Sequence, residues 1–352
     1  MREGKLLSIY PFIYNMAFPV MILTAFVVAG FFISGVAEVD ILNAYTLLFA
    51  GAFGSPHAIS EVLVKTSPIL LTAIAAAFAL KCGFVNVGVE GQMMMGALAT
   101  AGLGLVVTGS PFIGIPLVIF VSFLIGASWG TIAAFIKIRF RVSEIITTIM
   151  MNFIALYLAQ ALIIGPWSGT SPEATGLVMT DFLESSIYLP KIIPGTRTHA
   201  GTLIGIISTI LLYLIVRKTV FGYKVQTVGS NPKAARYAGF NLTRNIIFAL
   251  MISGGIAGFA GAGEIAGLHH FMRPDFSQGF GFMGLTIAYV AKGNIPLTAL
   301  GSFLFGSLIV GTASMRYGIS VIPPPVVPML LGLMLISIII ADVIRKKTRE
   351  RR

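Results

Sequence analysis

Long apolar runs, broken by short polar or glycine-rich stretches, recur along the whole chain. A helix needs about 20 apolar residues to cross the roughly 30 Å hydrocarbon layer of a bilayer. Runs near that length fall at 16–35, 66–82, 93–107, 112–136, 144–164, 201–216, 245–268, 278–291, 297–314 and 326–344. They predict about ten transmembrane helices. The first run is longer than the roughly 7–15-residue core of a signal peptide, so it is read as an uncleaved span. Ile41 to Phe53 is apolar but short, the length of an interfacial or re-entrant piece. Ser143 with Glu144 marks a helix start, a polar cap followed by an acid in the first turn.

Composition agrees. Of 352 residues, 56% are hydrophobic and 11% charged, with a mean hydropathy of +0.92. A soluble domain carries about 25% charged residues, so this chain cannot cover itself in water. The expected fold is all-α and polytopic, one transmembrane domain over residues 1–352 embedded in the lipid bilayer. The 39 glycines suit close helix packing in lipid. The single cysteine, Cys82, excludes intrachain disulfides and multi-cysteine metal clusters.

Net charge +11 would suggest nucleic acid for a soluble protein; here it reads as topology and no nucleic acid partner is expected. Ten spans place both termini on one side. With that side cytoplasmic, the basic residues outside are Lys65, Lys191, Arg197, Arg273 and Arg316, and the rest of the 24 fall inside. The positive-inside rule fixes this orientation. It makes 165–200 an outer loop, and it makes 217–244 and the basic tail 345–352 cytoplasmic.

The chain contains no GxxxxGK[ST] phosphate loop, no HExxH and no CxxC pair, so neither catalytic nor metal-binding residues are expected. His269 and His270 are adjacent, but neighbours point apart and no further ligand is evident. Buried polar residues are the better guide, because each is costly in lipid. Glu264 lies near the outer end of the seventh span; it lines a cavity or reaches the outer interface. Asn86, Glu90 and Gln92 sit where apolar helix gives way to the break GFVNVGVEGQ. They mark either the broken-helix site of a transporter for a small polar solute or an ordinary inner loop. Asn152 could bind such a solute or hold two helices together. GVEGQMMMGALATAGLGL and GFGFMGLTIAYVAKG also echo one another. Each is a glycine-flanked entry, a span and a Pro-marked turn, one starting inside and the other outside, as in an inverted repeat.

The stretch 217–244 carries Arg217, Lys218, Lys224, Lys233, Arg236 and Arg244 and no acid. Within it Ser230, Asn231 and Pro232 are a helix-start signature, and Gly239 is a natural stop. They predict about two turns of helix, too short to stand alone, with a small alanine face and basic residues at its rim. Such a helix suits a groove on a partner; the competing reading is a positive-inside loop with no partner.

FGYKVQTVGSNPKAARYAGFN followed by SGGIAGFAGA resembles the coupling region of permease subunits of ABC importers for branched-chain amino acids, simple sugars and nucleosides. The resemblance covers nearly the whole chain. The stretches from LFAGAFGSPHAISEVLVK to GVEGQMMMGA, and SEIITTIMMNFIALYL, are most similar to the nucleoside branch. Lys81-Cys82 and Gln226 depart mildly from the family pattern. The resemblance implies a type II-importer-like fold in a prokaryotic cytoplasmic membrane. It implies as partners a second permease (a paralogue or second copy), a cytoplasmic ABC ATPase and an extracytoplasmic substrate-binding lipoprotein. The ATPase would hold ATP and Mg, leaving no cofactor in this chain, and would grip Gly229, Ser230, Asn231, Pro232, Lys233, Ala235, Arg236 and Gly239. Competing functions are import of a sugar or amino acid by the same family, and an ATP-independent carrier or channel. An ion-coupled carrier would be expected to hold more membrane charge than Glu264 and Asp342.

Overall fold

The computed structural model describes residues 40–318 and residue 332. The expected first span and the tenth (apart from residue 332), the three consecutive prolines and the basic tail lie outside the described residues. Eleven helices follow in order: α1 (Ile41–Phe53), α2 (Pro56–Lys81), α3 (Val89–Gly104), α4 (Pro111–Phe140), α5 (Glu144–Ile164), α6 (Gly201–Lys218), α7 (Val220–Ser230), α8 (Pro232–Tyr237), α9 (Leu242–Ala262), α10 (Phe280–Val290) and α11 (Ile295–Gly318). A π-helical turn, Gly263–His269, continues α9, and a 3₁₀ turn covers Ser185–Ile187. Among the described residues, β pairing is confined to an isolated bridge between Lys191 and His199. Six of these helices are long and apolar enough to span a bilayer. The chain is an all-helical, multi-pass membrane protein.

The described residues fall into two units, one of 40–62 with 307–318 and one of Leu63–Gly306. In the first, α1 and the end of α11 meet at glycines: a Cβ on Gly311 would come within 2.5 Å of the Leu48 carbonyl oxygen. The second holds every candidate site residue. Its axis is α2, whose residues from Ile69 to Ala79 are all buried. The helix begins at Pro56, ten residues before the expected span, because Pro at the first position fits a helix start and the polar residues after it are tolerated in helix. Hydropathy located the membrane part of α2, not its end.

Around α2, helices α3, α4 and α9 touch backbone to backbone. Ser122, Gly126 and Gly130 on α4 recur every four residues, as do Gly254 and Gly258 on α9, so each set stands on one face. A Cβ on Gly126 would overlap the Gly254 carbonyl, one on Gly258 the Ser122 carbonyl, and one on Gly96 of α3 the Gly258 carbonyl. Small residues let helices in lipid approach until dispersion contacts hold them. Elsewhere the helices turn large apolar groups outward, among them Phe120 and Phe135 of α4, Met150 and Phe153 of α5, and Ile206 and Leu211 of α6. Only hydrocarbon or a partner subunit can cover such a surface.

Two expected spans are shorter than a bilayer. Helix α3 has 16 residues and α10 has 11, about 24 Å and 16 Å at 1.5 Å per residue. The outer stretch 165–200 is a folded cap, with Ala174, Leu183, Ile187, Leu189 and His199 buried. Asp181 anchors its first half: its carboxylate accepts from the N–H groups of Thr170 (2.9 Å) and Ser171 (2.8 Å) and the Thr170 hydroxyl (3.2 Å). Bonds from Ser171 and Thr170 stabilise the ionised form and hold the pKa at about 2.

Two outcomes are expected. Gly258→Leu should lower the thermal midpoint of the detergent-solubilised protein, costing roughly 1–3 kcal/mol or more by overpacking. Gly205→Ala, whose Cβ would meet only Leu70 and Leu71 side-chain atoms at 3.2 Å and beyond, should cost far less. Because the Asp181 pKa is depressed, its anchoring is complete above the ordinary carboxylate value and is lost as pH falls through about 2. Asp181→Asn should therefore speed hydrogen exchange across 169–181 at neutral pH and remove that acid dependence.

Candidate translocation and coupling sites

Asn86, Gln92 and Asn152 converge on the break between α2 and α3, and all three are buried. The Asn86 amide donates to Gln92 Oε1 (3.0 Å) and Ser253 Oγ (3.0 Å), while its Oδ1 accepts from Gln92 Nε2 (3.1 Å) and the Gly88 N–H (3.1 Å). The Ser253 hydroxyl in turn donates to the Ala75 carbonyl (2.7 Å). Asn152 Oδ1 accepts from the Gly91 N–H (2.8 Å) and its Nδ2 donates to the Val87 carbonyl (3.0 Å). Where a helix is interrupted in lipid, freed backbone groups must find partners inside the protein. These side chains supply them, fastening α2, α3, α5 and α9 to one break.

Glu90, in the first turn of α3, reaches another half-length helix. Its carboxylate accepts from the Ser277 hydroxyl and, at 2.6 Å, from the Gly281 N–H in the first turn of α10. A Cβ on Gly281 would lie 2.6 Å from the Glu90 N and Cα, so the first turns of α3 and α10 are in contact. Each N-terminus carries a partial positive charge, and a carboxylate between them offsets both. These helices are the two segments that echo one another in sequence. Ser277 was unpredictable as a partner, lying 187 residues away in the chain.

Glu264 stands apart, on the π-helical turn, 2% exposed. Its Oε2 accepts no hydrogen bond, and His269 Nε2 lies 3.5 Å from it. Beside it lies His199, which sequence reasoning left unassigned. Burial pushes the His199 pKa down, opposed by the charge of Glu264. Its only sequence signal was a position before a span. Among the described residues no three His, Cys, Asp or Glu side chains are placed to hold a metal ion.

The basic stretch is mostly helical. Helix α6 runs on to Lys218, and Thr219 then caps α7, its side chain accepting from the Gly222 N–H (3.0 Å). Gly222, Val225 and Val228 form the buried face of α7. Thr219 and that three-residue spacing were the signals available for this unexpected helix. Asn231 Oδ1 accepts from the Ala234 N–H (3.0 Å) and starts α8, with Pro232 in its first turn. Gly239 ends it at φ +77°, with the Gly239 N–H on the Arg236 carbonyl (3.0 Å) and the Phe240 N–H on the Ala235 carbonyl (2.9 Å), a Schellman stop. Ser230, Lys233, Arg236 and Tyr237 are exposed, and Ala235 is buried. Gly229 is in close contact with the Lys81 carbonyl, and its Cβ would sit 2.7 Å from the Gly83 nitrogen. The base of α8 thus rests, through α7, on the break that holds Asn86.

The chain thus combines a multi-span helical domain, a polar network at a broken helix and an exposed capped helix on one flank. The family model for the permease component of the branched-chain amino acid transport system matches residues 58–339, and the chain belongs to that family of ABC transporter permeases. It is 30% identical to the guanosine ABC transporter permease NupP of Bacillus subtilis over 90% of this chain and 91% of that one. It is 29% identical to the glucose ABC transporter permease TsgB13 of Haloferax volcanii (91% and 87% covered). It is 30% identical to the nucleoside ABC transporter permease NupB of Lactococcus lactis (80% and 79% covered). No solved structure matches.

Glu90→Gln keeps the side-chain volume but removes the charge shared by two helix starts. It should destabilise the protein by roughly 1–3 kcal/mol, read as a lower midpoint in detergent; an unshifted midpoint would show the contact to be dispensable.

Proposed function

We propose that the chain imports nucleosides as one permease of an ATP-driven transporter, coupled to a separate ATPase through α8. The observation that carries the coupling is the build of α8 itself. Positive-inside topology accounts for basic residues on a cytoplasmic segment. It does not account for a six-residue helix, too short to be stable alone, that is capped at both ends and presents Lys233, Arg236 and Tyr237 outward. Rigid ends and a small convex face are what a groove on a motor protein can grip. Gly229 and Gly83 then pass a push on α8 to the break at Asn86, Glu90 and Gln92, where the solute would cross between α3 and α10.

The nucleoside assignment rests on NupP and NupB, whose names give guanosine and nucleosides. TsgB13, named for glucose, supports a sugar as the second reading. The rest of the proposal follows the family. There are ten spans with both termini cytoplasmic in a prokaryotic cell membrane, and α3 and α10 belong to inverted repeats. A second, paralogous permease, an ABC ATPase binding ATP and Mg, and a substrate-binding lipoprotein outside complete the assembly, and this chain catalyses no reaction.

Gly239→Leu should force a side chain into a left-handed residue at about 1–2 kcal/mol, and Arg236→Glu should reverse charge at the docking rim. Each is expected to reduce solute uptake at least about tenfold while the variant stays in the membrane and the ATPase still hydrolyses ATP. Normal uptake in both would sink the coupling assignment. Cysteine placed at Lys233 should react with an impermeant thiol reagent only from the cytoplasm. Competition of uptake by guanosine, and not by glucose, separates the two solutes.

A further inference from the structure

The π-helical turn at the end of α9 gathers polar atoms that the coupling path does not use. His199, completely buried, packs its ring against Gly267 and Gly201, with Gly263 alongside. Its Nδ1 accepts the Gly201 N–H at 3.2 Å, so in the neutral ring the proton is on Nε2. That Nε2 has no acceptor. On the turn itself Glu264 Oε2 accepts no hydrogen bond and has His269 Nε2 at 3.5 Å, and His270 Nδ1, just past the turn, is without a hydrogen-bond partner. The hydroxyl of Thr202, whose N–H bonds to the His199 carbonyl, is unpartnered too. An unsatisfied buried polar atom costs roughly 1–3 kcal/mol. Several in one cluster, on a π-helical turn of the kind that recurs at functional sites, call for an occupant with complementary groups.

The order of these groups specifies the occupant. His199 offers one donor, and Glu264 and His270 offer acceptors. Tyr188 stacks on His270 at 3.8 Å, and His269 stands 6.0 Å from Phe271, so the polar atoms are bordered by aromatic rings. A Cβ on Gly263 would lie in ordinary van der Waals contact with the His199 ring at 3.6 Å, so this glycine borders the cluster directly. We propose that His199, Glu264 and His270 recognise the lactam edge of a nucleobase, a ring carbonyl beside a ring N–H. The inference rests on the nucleoside reading above. His199 Nε2–H donates to the carbonyl, Glu264 accepts the ring N–H, and His270 accepts any exocyclic amine. Guanine, hypoxanthine and uracil carry this edge. Adenine and cytosine present an amino group beside an unprotonated nitrogen, which would set a lone pair against the Glu264 carboxylate. The outer cap covers the cluster through bonds from Leu189 N–H to the Ala266 carbonyl (2.9 Å) and Leu183 N–H to the His270 carbonyl (2.8 Å). Solute enters as that strip lifts.

The test is uptake of radiolabelled inosine and adenosine by cells whose only nucleoside importer is the intact transporter containing this permease. Wild type should favour inosine. Glu264→Gln, nearly isosteric, should lower the inosine-to-adenosine ratio about tenfold, the loss expected when a charged acceptor leaves one ring N–H poorly paired. Gly263→Leu crowds the His199 ring and should reduce inosine uptake by a similar factor. An immunoblot of the membrane fraction establishes that each variant is present, and either variant alone carries the test. Nucleoside uptake with an unchanged ratio in Glu264→Gln, and unchanged inosine uptake in Gly263→Leu, would overturn the site and leave the nucleoside reading standing. Absence of nucleoside uptake by wild type would overturn that reading itself.

Discussion

The contact on which the larger unit depends is glycine against backbone. Lipid gives helices no hydrophobic reason to associate, so α3, α4 and α9 are held by dispersion over a surface with no side chains in the way. Gly96, Gly126 and Gly258 each lie where a single Cβ would overlap a neighbouring carbonyl. The same closeness brings Ser253 of α9 within reach of Asn86 and of the Ala75 carbonyl on α2. A looser packing would leave the Asn86 amide without a partner. The apolar contact is therefore what allows a polar network to exist at membrane depth.

That network also reconciles a broken helix with its surroundings. Residues 82–88 lie outside helix, and the exposed backbone of such a segment is unaffordable in hydrocarbon. Asn152 covers the Val87 carbonyl and the Gly91 N–H together, and Asn86 covers the Gly88 N–H. Both ends of the Asn152 amide are occupied by backbone in this conformation, which makes it a fastening. On the proposed path, a solute would have to exchange with such bonds, and a domain moving to let it pass would have to remake them. Glu90 serves the same end with a charge: it satisfies N–H groups at the start of α10 while sitting in the first turn of α3.

Much of this was legible in the sequence because lipid makes the code simple. Helix α5 begins at Glu144 and ends at Ile164 as its apolar run does, and α8 falls between the residues that cap it. What was not legible has physical causes. Helix α7 alternates buried Gly222, Val225 and Val228 with polar positions, so an average over hydropathy reads it as loop. Helices α3 and α10 are short because they meet at Glu90 through pairings 187 and 191 residues apart, and no local pattern encodes such a separation. The cap over 165–200 is polar and irregular in sequence, yet it is folded because its N–H groups bond to the carbonyls of Gly104, Ala266, His270 and Met272 while Leu183, Ile187 and Leu189 are buried.

Coupling in such a domain does not need a dedicated lever. Helix α8 has no core of its own: Ala235 is its buried residue, and the rest of it is held by caps. It can therefore absorb little of a displacement before α7 moves with it. Helix α7 is fixed, at the end that adjoins α8, by the glycine contact between Gly229 and the Lys81–Gly83 segment, which has no flexible side chain to yield. Gly83 itself is at φ +73°, a conformation that confines the turn from α2 into the break. In the proposed coupling, a push at the exposed flank would be carried by short, close-packed elements to the place where α2 and α3 are not continuous.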